Sequence, residues 1–92
     1  MKEIKAIIRP FKLDEVITAL HKIEGLPGIT ISKIKGFGKS KAKDSVDAVR
    51  EGLHEYVEKV KLELVVHNNI VDEVVETIQK IAHTGNPGDG KI

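Results

Sequence analysis

The sequence predicts an α+β fold in which two helices lie on one face of an antiparallel sheet. Apolar residues recur at three- and four-residue spacing in two segments, and a short Ile- or Val-rich segment of strand length precedes each of them. The two halves also match each other, because Asp14-Glu15-Val16 reappears as Asp72-Glu73-Val74 at an offset of 58 residues. A duplicated β-α-β unit of this kind indicates a ferredoxin-like βαββαβ domain.

The first half of the chain supplies a strand, a helix and a second strand. Residues 2–9 form the predicted first strand, which Pro10 ends. Gly25 is expected to end the helix that follows. A second strand over residues 30–34 should close at Gly36-Phe37-Gly38. The apolar face of the predicted helix consists of Leu13, Val16, Ile17, Leu20 and Ile23.

The second half repeats the pattern. Residues 59–67 form a predicted strand, and Asn69 is the expected N-cap of the second helix. The duplication requires a last strand after Lys91, where only Ile92 follows, so that strand is expected to be truncated, missing or supplied by another subunit. The inward-facing residues should be Leu62, Leu64 and Val66 on the strand and Val71, Val74, Val75, Ile78 and Ile81 on the helix.

The composition describes a soluble globular chain and excludes several classes of function. The 92 residues are 40% hydrophobic and 32% charged, which suits one domain spanning residues 1–92. A net charge of +1 argues against binding DNA by bulk electrostatics, and 3% aromatic residues supply little stacking for RNA bases. The chain has no cysteine, no apolar run of membrane-spanning length and no signal-peptide layout, so a cytoplasmic protein is expected.

Strand alternation predicts a second apolar surface. If Ile4 and Ile8 face the helices, Ile7 and Val65 must point to the opposite face of the sheet. Apolar side chains on a face without helices favour burial against a neighbouring subunit.

Two glycine-rich segments are the candidate binding elements. Gly36-Phe37-Gly38-Lys39 follows the second strand, and residues 85–91 follow the second helix with three glycines and Lys91. Backbone amides freed by glycine, next to a lysine, suit phosphate oxygens, although neither segment has the spacing of a Walker loop. Each segment alone is also compatible with an ordinary turn. The long connection between the second and third strands, at about residues 39–58, is expected to be a flexible loop.

Metal and catalytic constellations are not predicted. The four histidines lack the spacing of a zinc motif, and no cysteine accompanies them. No Ser/His/Asp arrangement can be built from the sequence, so the chain is not expected to be an enzyme.

Three stretches of the chain resemble the PII signal-transduction family. They are residues 4–16 (IKAIIRPFKLDEV), Lys35-Gly36-Phe37-Gly38 and residues 84–92 (TGNPGDGKI). The resemblance runs along the whole chain and implies a homotrimer of ferredoxin-like subunits that binds ATP or ADP, with Mg²⁺ as a candidate companion ion, in clefts between neighbours. It further implies regulation of a partner enzyme or membrane transporter through the long loop, with nitrogen regulation among the candidate roles, and neither nucleic-acid binding nor membrane insertion.

The same resemblance implies a set of site residues. The phosphates would meet Gly36, Gly38 and Lys39 from one side and Gly88, Asp89, Gly90 and Lys91 from the other. The adenine and ribose would lie against Ile7, Thr30, Val65 and Thr84. Lys59 matches the family's lysine that contacts 2-oxoglutarate, and Ser40 stands where the family has a glutamine that helps to hold Mg²⁺ and 2-oxoglutarate. Serine cannot supply the same carbonyl oxygen, which argues against 2-oxoglutarate sensing.

The long loop departs from the family in content. Its Tyr-Arg-Gly-Ala-Glu-Tyr signature is absent and Gly52 occupies the place of the uridylylated tyrosine, so a divergent PII-like branch is expected. The alternatives are a trimeric ferredoxin-like metal-binding or metal-tolerance protein, an RNA-recognition module, which should carry aromatics where this chain has Ala6 and Leu64, and an acylphosphatase-like enzyme, for which Arg9 is the main support.

Overall fold

The computed structural model describes residues 1–36 and 56–92. Within these ranges the elements follow in the order β1 (Lys2–Ile8), α1 (Leu13–Leu20), β2 (Thr30–Gly36), β3 (Val57–Val66), α2 (Val71–Ala82) and β4 (Gly90–Lys91). The predicted α+β, ferredoxin-like class is confirmed.

The described strands form one antiparallel sheet in the order β2-β3-β1-β4. The two central strands, β1 and β3, pair over seven residues, from Lys2 opposite Val66 to Ile8 opposite Val60. The outer strand β2 pairs with β3 from Thr30 opposite Glu63 to Gly36 opposite Val57. This register fixes which side chains share a face and which ends of the strands are neighbours.

The core lies between one face of the sheet and the two helices. Every second residue of β1 and β3 contributes to it, as the alternation of a half-covered sheet requires. Leu20 and Ile78 pack against this face from α1 and α2, each without exposed surface. The core residues of the sheet are Ile4, Ala6, Ile8, Val60, Leu62, Leu64 and Val66, and those of the helices and their ends are Val16, Leu20, Ile23, Val74, Ile78 and Ala82.

The opposite face of the sheet carries no helix among the described residues. Ile7 is half-buried there and Val65 is 47% exposed, so the predicted orientation of these two residues is confirmed. Charged side chains surround them, including Lys61 and Glu63, which form an ion pair at 3.5 Å. The open face therefore mixes apolar and charged groups along the same strands.

The ends of the helices differ from the expectation. A 3₁₀ turn over Pro10–Lys12 precedes α1, which ends at Leu20 rather than near Gly25. Ile23 nevertheless reaches the core, because a further turn continues the chain and the Ile23 amide donates to the Leu20 carbonyl at 3.0 Å. Gly25 lies beyond this turn with φ of +83°, a conformation that suits glycine.

The start of α2 also corrects the prediction. Asn69 is not an N-cap, since it lies inside a 3₁₀ turn over Asn68–Ile70, and no side chain caps the helix that begins at Val71. Acidic residues in the first turn, Asp72 and Glu73, instead stabilise this end through the helix dipole.

Two strand boundaries were also misplaced by the sequence pattern. The last strand, expected only after Lys91, begins at Gly90 and pairs with Ile7 and Ile8. The third strand begins at Val57, two residues before its predicted start. Most of the predicted long loop, residues 39–55, lies outside the described residues.

We expect Ile78→Ala to lower the free energy of unfolding by about 2–5 kcal/mol, because it leaves a cavity in the core. Ile31→Ala is the matched control, since Ile31 is 47% exposed at the outer strand and its loss should be clearly smaller. Urea unfolding of both variants at one subunit concentration measures the difference. Equal losses would contradict the placement of the core.

Candidate functional site

The glycine-rich segment, residues 85–91, lies against the ends of β1 and β3. Because Ile8 pairs with Val60, the residues that follow and precede them, Arg9 and Lys59, are neighbours at the same end of the sheet. Pairing of Gly90 with Ile8 then brings the glycine-rich segment over these two cations. The sheet register thus assembles a loop and two basic side chains that are far apart in sequence.

Asp89 organises the loop through its carboxylate. The amides of Thr84 and Gly85 donate to Oδ2 at 2.9 and 3.1 Å, and the Thr84 hydroxyl donates to Oδ1. Arg9 adds a charge-assisted hydrogen bond from Nε to Oδ1 at 3.1 Å. His83 Nδ1 lies 3.6 Å from Oδ2. These bonds, first of all those from Thr84, hold the pKa of the Asp89 carboxyl well below its usual range.

The two cations also bind the main chain of the loop. Arg9 donates from its terminal nitrogen to the Pro87 carbonyl at 2.7 Å, and Lys59 Nζ donates to the Gly88 carbonyl. Partial burial, and then the nearby Arg9 charge, lower the pKa of Lys59 from its ordinary value. Two carbonyl oxygens of the loop are therefore directed at cations and away from any anion that approaches it.

Gly90 is required by sterics. Its φ is +114°, and a Cβ built there would overlap the Ile7 carbonyl oxygen and lie 2.8 Å from the Ile7 carbonyl carbon. Gly88 has φ of +90° but more space, because a Cβ would meet only the ends of the Arg9 and Lys59 side chains at 3.6 and 3.7 Å. The close approach of β4 to β1 is thus possible only without a side chain at position 90.

The predicted site residues separate into two groups in one chain. Gly36 pairs with Val57 at one end of β3, whereas Thr30 pairs with Glu63 at the other end. Six residues of strand separate these positions, roughly 20 Å at about 3.3 Å per residue. Residues of the first group lie in or beside the glycine-rich loop or at the Gly36 end of the sheet: Ile7, Gly36, Lys59, Thr84, Gly88, Asp89, Gly90 and Lys91. Those of the second group are Thr30 and Val65. Ile7 and Lys91 are in register with Lys61 and Ser32, so along the strands they lie between Gly36 and Thr30. Gly38, Lys39 and Ser40 lie outside the described residues.

Two cavities reflect this separation. One of about 400 Å³ lies beside β4 and α2 and is lined in part by Ile7, Asp89, Gly90 and Lys91. Another of about 360 Å³ is lined in part by Thr30 and Val65. Neither of these two cavities combines the two groups of predicted site residues.

Arg9 is absent from the predicted nucleotide site, and the sequence pointed to it only through the acylphosphatase alternative. Its side chain connects Asp89 and Pro87, which lie about 80 positions further along the chain. The sequence feature that could have identified Arg9 is its position directly after the buried strand β1, because a charged side chain there lies at the end of the sheet. Thr84 was predicted to contact adenine or ribose, but its hydroxyl already donates to Asp89 and accepts the Asn86 amide at 3.1 Å.

Two of the sequence-based alternatives gain no support from the site. Within residues 1–36 and 56–92, no group of three or more His, Asp or Glu side chains is placed to hold a metal ion. Ala6 and Leu64 are buried under the helices, so they are not the positions that would display aromatics to RNA. The corresponding open-face neighbours, Lys5, Ile7, Glu63 and Val65, are not aromatic either.

Among the described helices, none is long and apolar enough to cross a membrane.

The described residues thus define a small ferredoxin-like domain with a glycine-rich loop that is bordered by the cations Arg9 and Lys59. Comparison with known families gives the particular one: residues 1–92 match the family "Nitrogen regulatory protein P-II", and the chain belongs to it. P-II proteins of Rhodospirillum rubrum and Azospirillum brasilense are 50% and 48% identical over the whole chain, which covers 81% of each relative. P-II 1 of Escherichia coli K12 is 47% identical with the same coverage.

Family membership establishes the general role. P-II proteins are regulatory signal transducers and not enzymes, so the predicted non-catalytic role is confirmed and the acylphosphatase alternative is wrong. The predicted family resemblance is confirmed as well. At 47–50% identity to curated nitrogen regulatory proteins, the divergence of the chain is modest.

We expect Gly90→Ala to disrupt the pairing of β4 with β1, because the added Cβ overlaps the main chain of Ile7. A loss of about 1–3 kcal/mol in the free energy of unfolding is the expected scale for such strain. Gly28→Ala is the control, since nothing lies within 4 Å of a Cβ built there and its φ is not positive. Thermal unfolding compares the two variants, and similar melting temperatures would contradict the steric role of Gly90.

The Asp89 carboxyl predicts a specific acid sensitivity. Because its pKa is lowered by folding, ionised Asp89 stabilises the fold at neutral pH. That stabilisation should be lost as the pH falls through the unfolded value of about 4 toward the lower folded pKa. Asp89→Asn should be less stable than wild type at neutral pH and should lose less stability on acidification, as measured by urea unfolding. Asp72→Asn is the control, and equal acid sensitivity of wild type and Asp89→Asn would contradict the assignment.

Proposed function

We propose that the chain binds ATP or ADP at the boundary between subunits of a homotrimer and thereby regulates a protein target. The observation that carries the proposal is the separation of Gly36 from Thr30 by roughly 20 Å of strand within one chain. A nucleotide that contacts both groups needs the Thr30 and Val65 end of one subunit and the glycine-rich loop of another.

The chemistry of the loop suits the phosphate end of a nucleotide. The Gly85 amide donates to Asp89, so the glycines at positive φ that could offer amides to an anion are Gly88 and Gly90. Main-chain amides bind anions without catalytic groups. Lys91 is exposed beside them and adds a positive charge. The carbonyl oxygens of Pro87 and Gly88 accept hydrogen bonds from Arg9 and Lys59, which reduces their repulsion of a phosphate.

The open face of the sheet suits the assembly. Ile7 and Val65 lie on this face without a covering helix among the described residues, and the ion pair of Lys61 with Glu63 limits uncompensated charge. Burial of these apolar side chains against a neighbour would favour association. Nucleotide at the subunit boundary would then shift the population of conformations and so change the surface that an enzyme or transporter target contacts. The family name suggests nitrogen regulation as the biological role.

Lys59 connects this site to the third strand and, through it, to the long loop. A small dicarboxylate such as 2-oxoglutarate would have to share Lys59 Nζ with the Gly88 carbonyl, which occupies one of its three N–H donors. Sensing of 2-oxoglutarate is tested by nucleotide titrations in its presence and in its absence, each with and without Mg²⁺.

We expect Lys91→Ala to weaken binding of ATP and ADP by about tenfold, since it removes a charge at the phosphate end. Val65→Glu should weaken both at the other end by introducing a carboxylate beside the base. Because Val65 also lies on the face proposed for assembly, analytical ultracentrifugation first establishes that this variant forms trimers. Isothermal titration measures the affinities, and Lys80→Ala on the exposed surface of α2 is the control for Lys91. Absence of binding to the wild-type trimer would refute the proposed function.

Mixing the two variants tests whether subunits share the site. A trimer that contains both Lys91→Ala and Val65→Glu chains has one boundary where an intact loop meets an intact Thr30 and Val65 end. Binding at the wild-type affinity should therefore return in co-expressed mixed trimers, with about one site per trimer. If each site were formed within one chain, every site would keep one lesion and no wild-type affinity would return.

A further inference from the structure

Asp89 has a place in the loop that differs from a phosphate contact. Its two carboxylate oxygens accept four hydrogen bonds, from the Thr84 amide, the Thr84 hydroxyl, the Gly85 amide and Arg9 Nε. Two carboxylate oxygens offer about four acceptor positions, so these donors use the acceptor capacity of the group. The side chain is only 23% exposed, and Arg9 compensates its charge.

The carboxylate joins the two ends of the glycine-rich segment. Thr84 and Gly85 follow α2, whereas Asp89 precedes β4, so the bonds close a loop of a few residues upon itself. Arg9 fixes the same segment a second time, because it donates both to Asp89 and to the Pro87 carbonyl. Between these fixed points the chain has little freedom to rotate its amides.

We propose that Asp89, held by Arg9, is a positioning residue that sets the conformation of segment 84–90 before nucleotide arrives, and that it does not itself contact the phosphates. The inference rests on the proposed nucleotide-binding function. Preorganised amides bind an anion more tightly because their ordering is not a cost of binding. A carboxylate directed at a phosphate would instead weaken binding by repulsion.

The two roles of Asp89 predict opposite effects of Asp89→Asn. In either orientation the amide NH₂ would face a donor, which is the Thr84 and Gly85 amides in one case and Arg9 Nε in the other. The loop should therefore loosen although the side chain keeps its size. A positioning role therefore predicts weaker binding of ATP and ADP, by about tenfold, with unchanged binding of adenosine. A carboxylate that merely repels phosphate predicts tighter binding, and one that holds Mg²⁺ predicts weakening only when Mg²⁺ is present.

Hydrogen exchange tests the loop without any nucleotide. In the wild-type trimer the amides of Thr84 and Gly85 should exchange slowly, and in Asp89→Asn both should exchange faster. Asp72→Asn removes the same charge at the distant start of α2 and should change neither exchange nor nucleotide affinity. If Asp89→Asn fails to form trimers, Arg9→Lys replaces it in the experiment. This variant keeps the positive charge but loses the two-point contact, so the exchange of the Thr84 and Gly85 amides should increase to an intermediate extent.

The outcomes separate this inference from the proposed function. Unchanged exchange at Thr84 and Gly85 in Asp89→Asn, or nucleotide affinity that is equal or higher, would overturn the positioning role. If the wild-type trimer binds no nucleotide, the proposed function fails. The exchange rates then still decide whether Asp89 organises the loop.

Discussion

The pairing of β1 with β3 is the constraint on which the rest of the structure depends. Its register sends Ala6 and Leu62 into the core and Ile7 and Lys61 to the open face. The same register sets Arg9 beside Lys59 at one end of the sheet. A shift by one residue would exchange the two faces and separate the cations from the glycine-rich loop, so packing and site depend on one set of hydrogen bonds.

The loop itself is stabilised mainly by polar contacts. Thr84, Arg9 and Lys59 supply donors to one carboxylate and two carbonyl groups, and none of these side chains belongs to the hydrophobic core. Hydrogen bonds to charged groups contribute about 1.5–3 kcal/mol when they are well made, and they are directional. Such contacts define a conformation more narrowly than apolar packing would, which is what a site made of main-chain amides requires.

Much of the fold could be predicted from the sequence because its signals are local. Alternation in residues 2–9 and 59–67 identified the core strands, and it also placed Ile7 and Val65 on the open face correctly. The cap at Asn69 was wrong because a 3₁₀ turn, which uses the same residue types, precedes the helix. Gly90–Lys91 was missed as a strand because two residues carry no periodicity, and only the partner strand β1 defines it.

The site was predicted less completely, for a physical reason. Candidate residues came from glycine clusters and from resemblance to a family, and both identify positions without their contacts. The bonds of Asp89 to Arg9 join residues 80 positions apart, so no pattern in the sequence reveals that the carboxylate is already occupied. The roughly 20 Å between Gly36 and Thr30 likewise follows only from the register of β2 with β3.

The bare backbone at Gly90 has a consequence for molecular discrimination. The main chain of Ile7 already occupies the space that a side chain at position 90 would fill, so β4 offers peptide groups at this position, and peptide groups are chemically the same in every protein. They can respond to charge and shape but cannot distinguish one heterocycle from another. If the chain binds nucleotide as proposed, a preference for adenine over other bases would depend on side chains such as those of Ile7, Thr30 and Val65, which can vary while the glycine-rich segment stays unchanged.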